Sequence, residues 1–145
     1  MKKTSLWFAL IACMGLGKTF AGVFNIVNVT GCSFTITTGF GSITDPVSGT
    51  VYPFTFGPLT IVPGPNNYAN PALLPGLSTA APASLLASGC VNHTRMMGPG
   101  PVSFVFGAAY PSYTSTNNPS CYSGNNYTMN WNTGSNGCDV VSLIF

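Results

Sequence analysis

The chain has 145 residues, of which 46% are hydrophobic and only 4% are charged. Globular proteins usually carry about 25% charged residues, so this deficit excludes a basic nucleic-acid surface and an acidic cation-binding tail. The length suits one domain with a hydrophobic core and is short for two.

The first 21 residues have the pattern of a secretory signal peptide. Two lysines are followed by an apolar run over residues 6–16, and small residues precede a cleavage site after Ala21. This run is shorter than the roughly 18 apolar residues that a membrane-spanning helix needs, so no transmembrane segment is expected in the mature chain. An alternative is a lipoprotein signal that ends before Cys13, which would then be lipidated. The Met-Lys-Lys start is typical of bacteria, so we expect a secreted or cell-surface bacterial protein.

The first part of the mature chain is rich in β-branched and aromatic residues. Residues 23–29 and 32–38 predict an opening hairpin joined by a short turn. A further strand is predicted over residues 50–56, where Pro53 favours a sheet edge because proline lacks a backbone donor. Residues 59–62 predict a short continuation.

The later part alternates between strands and long polar segments. Residues 63–89 are rich in Pro, Asn and Ala and predict a long loop, in which residues 82–88 are the one helical candidate. Strands are predicted over residues 102–106, 127–131 and 138–145, with a Tyr, Ser, Asn and Pro loop after the first of them.

About seven short strands with irregular links predict an all-β fold. We expect a single antiparallel β-sandwich-like domain over residues 22–145. It should have long Pro/Asn/Gly-rich loops, two disulfides and at most one short helix.

The cysteines after the signal peptide are even in number. They are Cys32, Cys90, Cys121 and Cys138. In an exported chain they predict two disulfides, for which three pairings exist. Loop length favours Cys32–Cys90 with Cys121–Cys138, since the two loops that they close are together shorter than those of either other pairing. No metal site or other cofactor is expected, because no cysteine pair has a two-residue spacing and the chain has one histidine.

Groups suited to acid–base catalysis are scarce. Cleavage after Ala21 would leave Arg95, Asp45 and Asp139 as the strongly charged side chains, together with His93. No serine lies in a nucleophile elbow. We therefore expect a protein that is not an enzyme, and a hydrolase built around His93 is the weakest hypothesis.

Aromatic and amide side chains are concentrated near the carboxyl terminus. The candidate ligand-binding residues are Tyr122, Tyr127, Trp131, Asn125, Asn126 and Asn130. Exposed rings bordered by amides suit a neutral glycan, because rings cover apolar sugar faces and amides bind hydroxyls. The competing interpretation is that Tyr127, Met129 and Trp131 form the inward face of a sandwich strand.

Three strand segments are apolar and almost uncharged: residues 23–29, 102–106 and 140–145. Such strands must be buried or used for assembly, because exposed edges of this kind pair with other chains. We therefore predict an exported structural or adhesive surface protein, such as a fibre or surface-layer subunit, that associates with itself or other surface proteins. The predicted contacts are exposed edges among residues 23–29 and 140–145. A small glycan-binding module is the alternative.

Overall fold

The computed structural model describes residues 21–145. The predicted signal peptide, apart from Ala21, and the candidate lipidation site Cys13 lie outside the described residues.

The described part of the chain is built from short strands. In chain order they are β1 (Phe24–Asn28), β2 (Phe34–Thr44), β3 (Val51–Phe56), β4 (Leu59–Ile61), β5 (Gly64–Tyr68), β6 (Ser78–Thr79), β7 (Gly89–Met97), β8 (Ser103–Gly107), β9 (Ser112–Thr114), β10 (Thr128–Thr133) and β11 (Val140–Ile144). Short 3₁₀ helices occupy Pro71–Leu73, Ala83–Ser88 and Ser120–Tyr122. The prediction of an all-β fold is confirmed.

The strands form two sheets that enclose one hydrophobic cluster. Sheet A has the order β5-β1-β11-β10-β9, in which β1 and β11 are parallel and the other neighbours are antiparallel. Sheet B has the order β6-β3-β2-β7-β8 and is antiparallel, with β4 also paired to β2. Because β1 and β11 have neighbours on both sides, the predicted exposed edges at residues 23–29 and 140–145 are wrong.

The predicted opening hairpin is also wrong, because β1 and β2 lie in different sheets. The connection between them is held by buried polar side chains. Asn28 Oδ1 accepts hydrogen bonds from the backbone N and the Oγ1 of Thr30 at 3.1 and 2.7 Å, and its Nδ2 donates to Cys32 O at 2.7 Å. These bonds satisfy the polar groups of a buried link that crosses from one sheet to the other.

The core contains the inward residues of both sheets, with β2 contributing glycines where β3 contributes phenylalanines. Gly39 pairs with Phe56 and Gly41 pairs with Phe54. A Cβ at either glycine would overlap the ring opposite it. The two glycines therefore leave room for buried rings to lie directly on the β2 backbone.

The disulfides join Cys32 to Cys121 and Cys90 to Cys138, with sequence separations of 89 and 48. Two bridges were predicted, but the preferred pairing Cys32–Cys90 with Cys121–Cys138 is wrong. Cys90 is the second residue of β7 in sheet B and Cys138 precedes β11 in sheet A, so this bridge links the sheets. Strand order brings these cysteines together, and the entropy of loop closure rises too slowly with length to oppose it.

Candidate functional site

Two of the predicted aromatic residues, Tyr127 just before β10 and Trp131 on it, face the core. Trp131 is 5% exposed and its ring lies 5.8 Å from the Phe24 ring and 5.4 Å from the Phe106 ring. Tyr127 is fully buried and its ring meets Phe34 edge-on at 5.0 Å. These rings do not form an exposed platform, because the alternating pattern of the strand directs them inward.

The remaining candidate ligand residues lie in the segment before β10 and on β10 itself. Tyr122 is half-buried against the core, and Asn125 is exposed in the loop before β10. Asn126 holds this loop, since its Oδ1 accepts from Ser115 Oγ at 3.3 Å and from Asn118 N at 3.1 Å. Asn130 lies opposite Leu143 on the outer face of sheet A.

Burial raises the pKa of Tyr127 to about 12, above the value of about 10 for an exposed tyrosine. The unfolded state therefore ionises first, so this contribution to stability is complete below pH 10 and is lost as the pH rises towards 12. Between pH 10 and pH 12, the free energy of unfolding of the wild type should therefore fall by about 2 kcal/mol more than that of Tyr127→Phe. Urea denaturation at both ends of the interval measures it, with Tyr110→Phe as the exposed control. Equal alkaline losses in wild type and Tyr127→Phe would contradict the prediction.

The two carboxylates hold turns. Asp45 accepts from Val47 N at 2.9 Å and from Ser48 Oγ at 2.7 Å, and these hydrogen bonds, that from Ser48 foremost, lower its pKa. Asp139 accepts from Val23 N at 3.0 Å and from Asn136 Nδ2 at 2.8 Å. Both carboxylates therefore accept hydrogen bonds that hold the fold, within a turn at Asp45 and also from the distant Val23 backbone at Asp139.

The residues considered for catalysis do not converge on one cleft. His93 and Arg95 lie on β7 and face outward from sheet B, whereas Asp139 is bound to the Val23 backbone beside sheet A. Among residues 21–145, no three His, Cys, Asp or Glu side chains lie close enough to hold a metal ion.

The outer face of sheet B carries an aromatic pair that no local sequence pattern indicates. Phe40 on β2 lies opposite His93 on β7, and the two rings stack at 4.7 Å between centroids with 16° between their planes. The β2–β7 ladder is irregular between Ile36 and Thr38, where β2 has one residue more than β7, and this reverses the alternation of β2. Phe40 therefore faces solvent, although strict alternation from Ile36 would bury it.

Two depressions flank this stacked pair. The first has a volume of about 260 Å³ and is lined by Asn92, His93, Val105, Ala108, Ala109 and Tyr110. The second has a volume of about 300 Å³ and is lined by Phe40, Gly41, Pro53, Phe54, Thr55, Ser78, Asn92 and His93. Both share Asn92 and His93, so they are adjacent parts of one surface.

A second feature is the outer edge of β8. Gly98 N donates to Val102 O at 3.1 Å, in register with the β7–β8 ladder. Backbone groups alternate along an antiparallel strand, so the N–H and C=O groups of Ser103 and Val105 point away from β7. Sheet B ends at β8, so no described strand pairs with this edge.

The strands at the ends of the two sheet orders differ in how they are protected. The strand β5 contains Pro65, β6 has 2 residues and β9 has 3. In contrast, β8 has 5 residues with the sequence SFVFG and contains neither proline nor a charged side chain. Of these terminal strands, β8 is therefore the least protected against pairing with another chain.

No known protein family, curated protein or solved structure matches the chain. No helix among residues 21–145 combines the length and apolar character needed to cross a membrane.

Proposed function

We propose that the protein is an exported, non-enzymatic structural or adhesive surface protein whose copies associate through β8. The observation that carries this proposal is the unpaired, uncharged edge at Ser103 and Val105. Export is supported by the leader-like first 21 residues and by two disulfides, which persist in oxidising compartments.

The β8 edge is complementary to itself. If two copies pair antiparallel about Phe104, Ser103 of each copy lies opposite Val105 of the other. This arrangement forms four backbone hydrogen bonds and joins the two B sheets into one continuous sheet. Each bond contributes about 0.5–1.5 kcal/mol, so further contacts between copies would strengthen the association.

Electrostatic repulsion across such a contact is small. Arg95 is the charged residue nearest to the edge, and it lies on β7 opposite Val105. In the paired sheet, the two β7 strands that carry Arg95 would be three strand spacings apart, about 14 Å. This separation exceeds the Debye length of about 8 Å at physiological ionic strength. Association through β8 should therefore depend little on salt.

We expect protein purified after export to form dimers or larger oligomers at low salt and at about 1 M NaCl, where the Debye length is about 3 Å. Val105→Pro and Val105→Lys should shift it to monomer in sedimentation velocity experiments. Proline removes an outward-facing donor, and lysine places a charge on the edge.

The matched control is Val141→Lys. Val141 is 49% exposed, compared with 40% for Val105, but it lies on β11, which is paired on both sides. This variant should associate like the wild type, and circular dichroism should show the same folded state in all variants. Monodisperse wild-type monomer at high concentration would overturn the proposal, as would equal loss of association in Val141→Lys.

A further inference from the structure

We infer that the Phe40–His93 pair and its two flanking depressions form a binding site for a neutral carbohydrate. This inference goes beyond self-association through β8 and does not depend on it. The observations that carry it are the exposed ring stack, the depressions on either side and the absence of Lys, Arg, Asp and Glu among their lining residues.

The sheet leaves one face of each ring open. Phe40 has Thr55 of β3 on one side and His93 on the other, so its uncovered face turns towards the short Thr55 side chain. On the opposite side, His93 is paired with Gly107 of β8. A Cβ at Gly107 would overlap His93. The glycine therefore keeps the second face of the imidazole free of side chains.

Each depression combines an aromatic wall with polar groups at its border. The smaller one is lined by His93 and the exposed Tyr110, together with the small residues Ala108 and Ala109. In the larger one, the Phe40 ring is bordered by the hydroxyl groups of Thr55 and Ser78. Sugars present an apolar ring face and hydroxyl groups around it, and this arrangement of rings and hydroxyls matches both parts.

Asn92 lines both depressions and supplies an amide between them. Its side chain offers two donors and an acceptor, which suits the hydroxyl groups of neighbouring sugars. Volumes of about 260 and 300 Å³ lie at the lower limit of small-molecule sites. Each part therefore suits one sugar residue, and an oligosaccharide should bind more tightly than a monosaccharide because it occupies both.

Charge favours a neutral ligand. Arg95 is the nearest cation on this face, two residues along β7 from His93, and it lines neither depression. The carboxylates of an acidic polysaccharide would therefore have no cation to pair with in the site. They would lose their hydration without compensation. The ligand inferred for this site is therefore a neutral chain of hexoses or pentoses.

Affinity electrophoresis through gels containing hydroxyethyl cellulose, galactomannan, xylan or dextran tests the inference, with alginate as the acidic comparison. We expect at least one of the neutral polymers to retard the full exported protein. Phe40→Ala and Tyr110→Ala should each weaken this retention by about tenfold. Tyr110 is 60% exposed, so its replacement is tolerated by the fold even if Phe40→Ala lowers stability.

The matched control is Leu143→Ala, because Leu143 and Phe40 are both 36% exposed and lie on the outer faces of opposite sheets. Leu143→Ala should retain wild-type binding. The inference is overturned if all four neutral polymers fail to retard the protein, or if alginate alone retards it. It is also overturned if Tyr110→Ala and folded Phe40→Ala bind like the wild type. Unchanged sedimentation of the binding-deficient variants separates this result from a loss of self-association.

Discussion

Replacing Trp131 with alanine should lower the free energy of unfolding by about 3–5 kcal/mol. The indole is packed between Phe24 of β1 and Phe106 of β8, so its removal leaves a cavity between the two sheets. Folded domains of this size have total stabilities of about 5–15 kcal/mol, so the loss removes a large share of the stability. Equilibrium urea denaturation measures it.

The control for this variant is Asn130→Ala on the same strand. Asn130 lies on the outer face of sheet A, and its replacement should change stability by less than about 0.5 kcal/mol. A Trp131→Ala protein with wild-type stability would show that the indole is not part of the core. It would also restore the hypothesis that β10 presents an aromatic platform.

Replacing both cysteines of either disulfide with alanine should cost about 4–5 kcal/mol in the chain-entropy model. The separations of 89 and 48 residues give similar values for the two bridges. The protein lacking both bridges should be unfolded at room temperature, because the combined loss approaches the total stability of such a domain. Urea denaturation of the two double variants, compared with wild type, measures each contribution.

Trypsin offers a direct test of the pairing, because Arg95 is the one Lys or Arg after the predicted cleavage site. Both observed bridges span Arg95, so cleavage of the unfolded, non-reduced chain should leave the two pieces covalently joined. The pairing Cys32–Cys90 with Cys121–Cys138 would instead release two separate pieces. Mass spectrometry of peptic fragments then distinguishes the observed pairing from the third one, Cys32–Cys138 with Cys90–Cys121.

Local sequence patterns predicted many of the strands well. Residues 102–106 correspond to β8 (Ser103–Gly107) and residues 127–131 correspond to β10 (Thr128–Thr133). The helical candidate at residues 82–88 is the 3₁₀ helix Ala83–Ser88. These elements depend on β-branched and aromatic composition, alternation and the position of proline, which act over a few residues.

Elements that need a distant partner were missed. The strand β5 lies in the predicted loop 63–89 and has the sequence GPNNY, which carries no strand pattern of its own. It is a strand because β1 provides an antiparallel neighbour from Phe24 to Asn28. The same reason explains β9, a three-residue strand in the polar segment after β8, which pairs with β10.

The candidate sites also combine what a local pattern predicts with what depends on distant partners. Aromatic residues at alternate positions of a strand share one face of the sheet. The pattern does not show whether this face is buried or exposed to solvent. The position of β10 in sheet A, facing sheet B, turns Trp131 into the core. Irregular register in the β2–β7 ladder turns Phe40 to the surface, where His93 from a separate strand completes the ring pair.

The all-β class, the presence of two disulfides and the near-neutral surface could all be predicted from the amino-acid sequence. These properties follow from residue types and short-range alternation. In contrast, the folded chain was needed to identify which cysteines pair, which strand edge stays unpaired and which aromatic rings reach solvent. Each of these depends on strand order and register, which are set by packing between segments far apart in the chain.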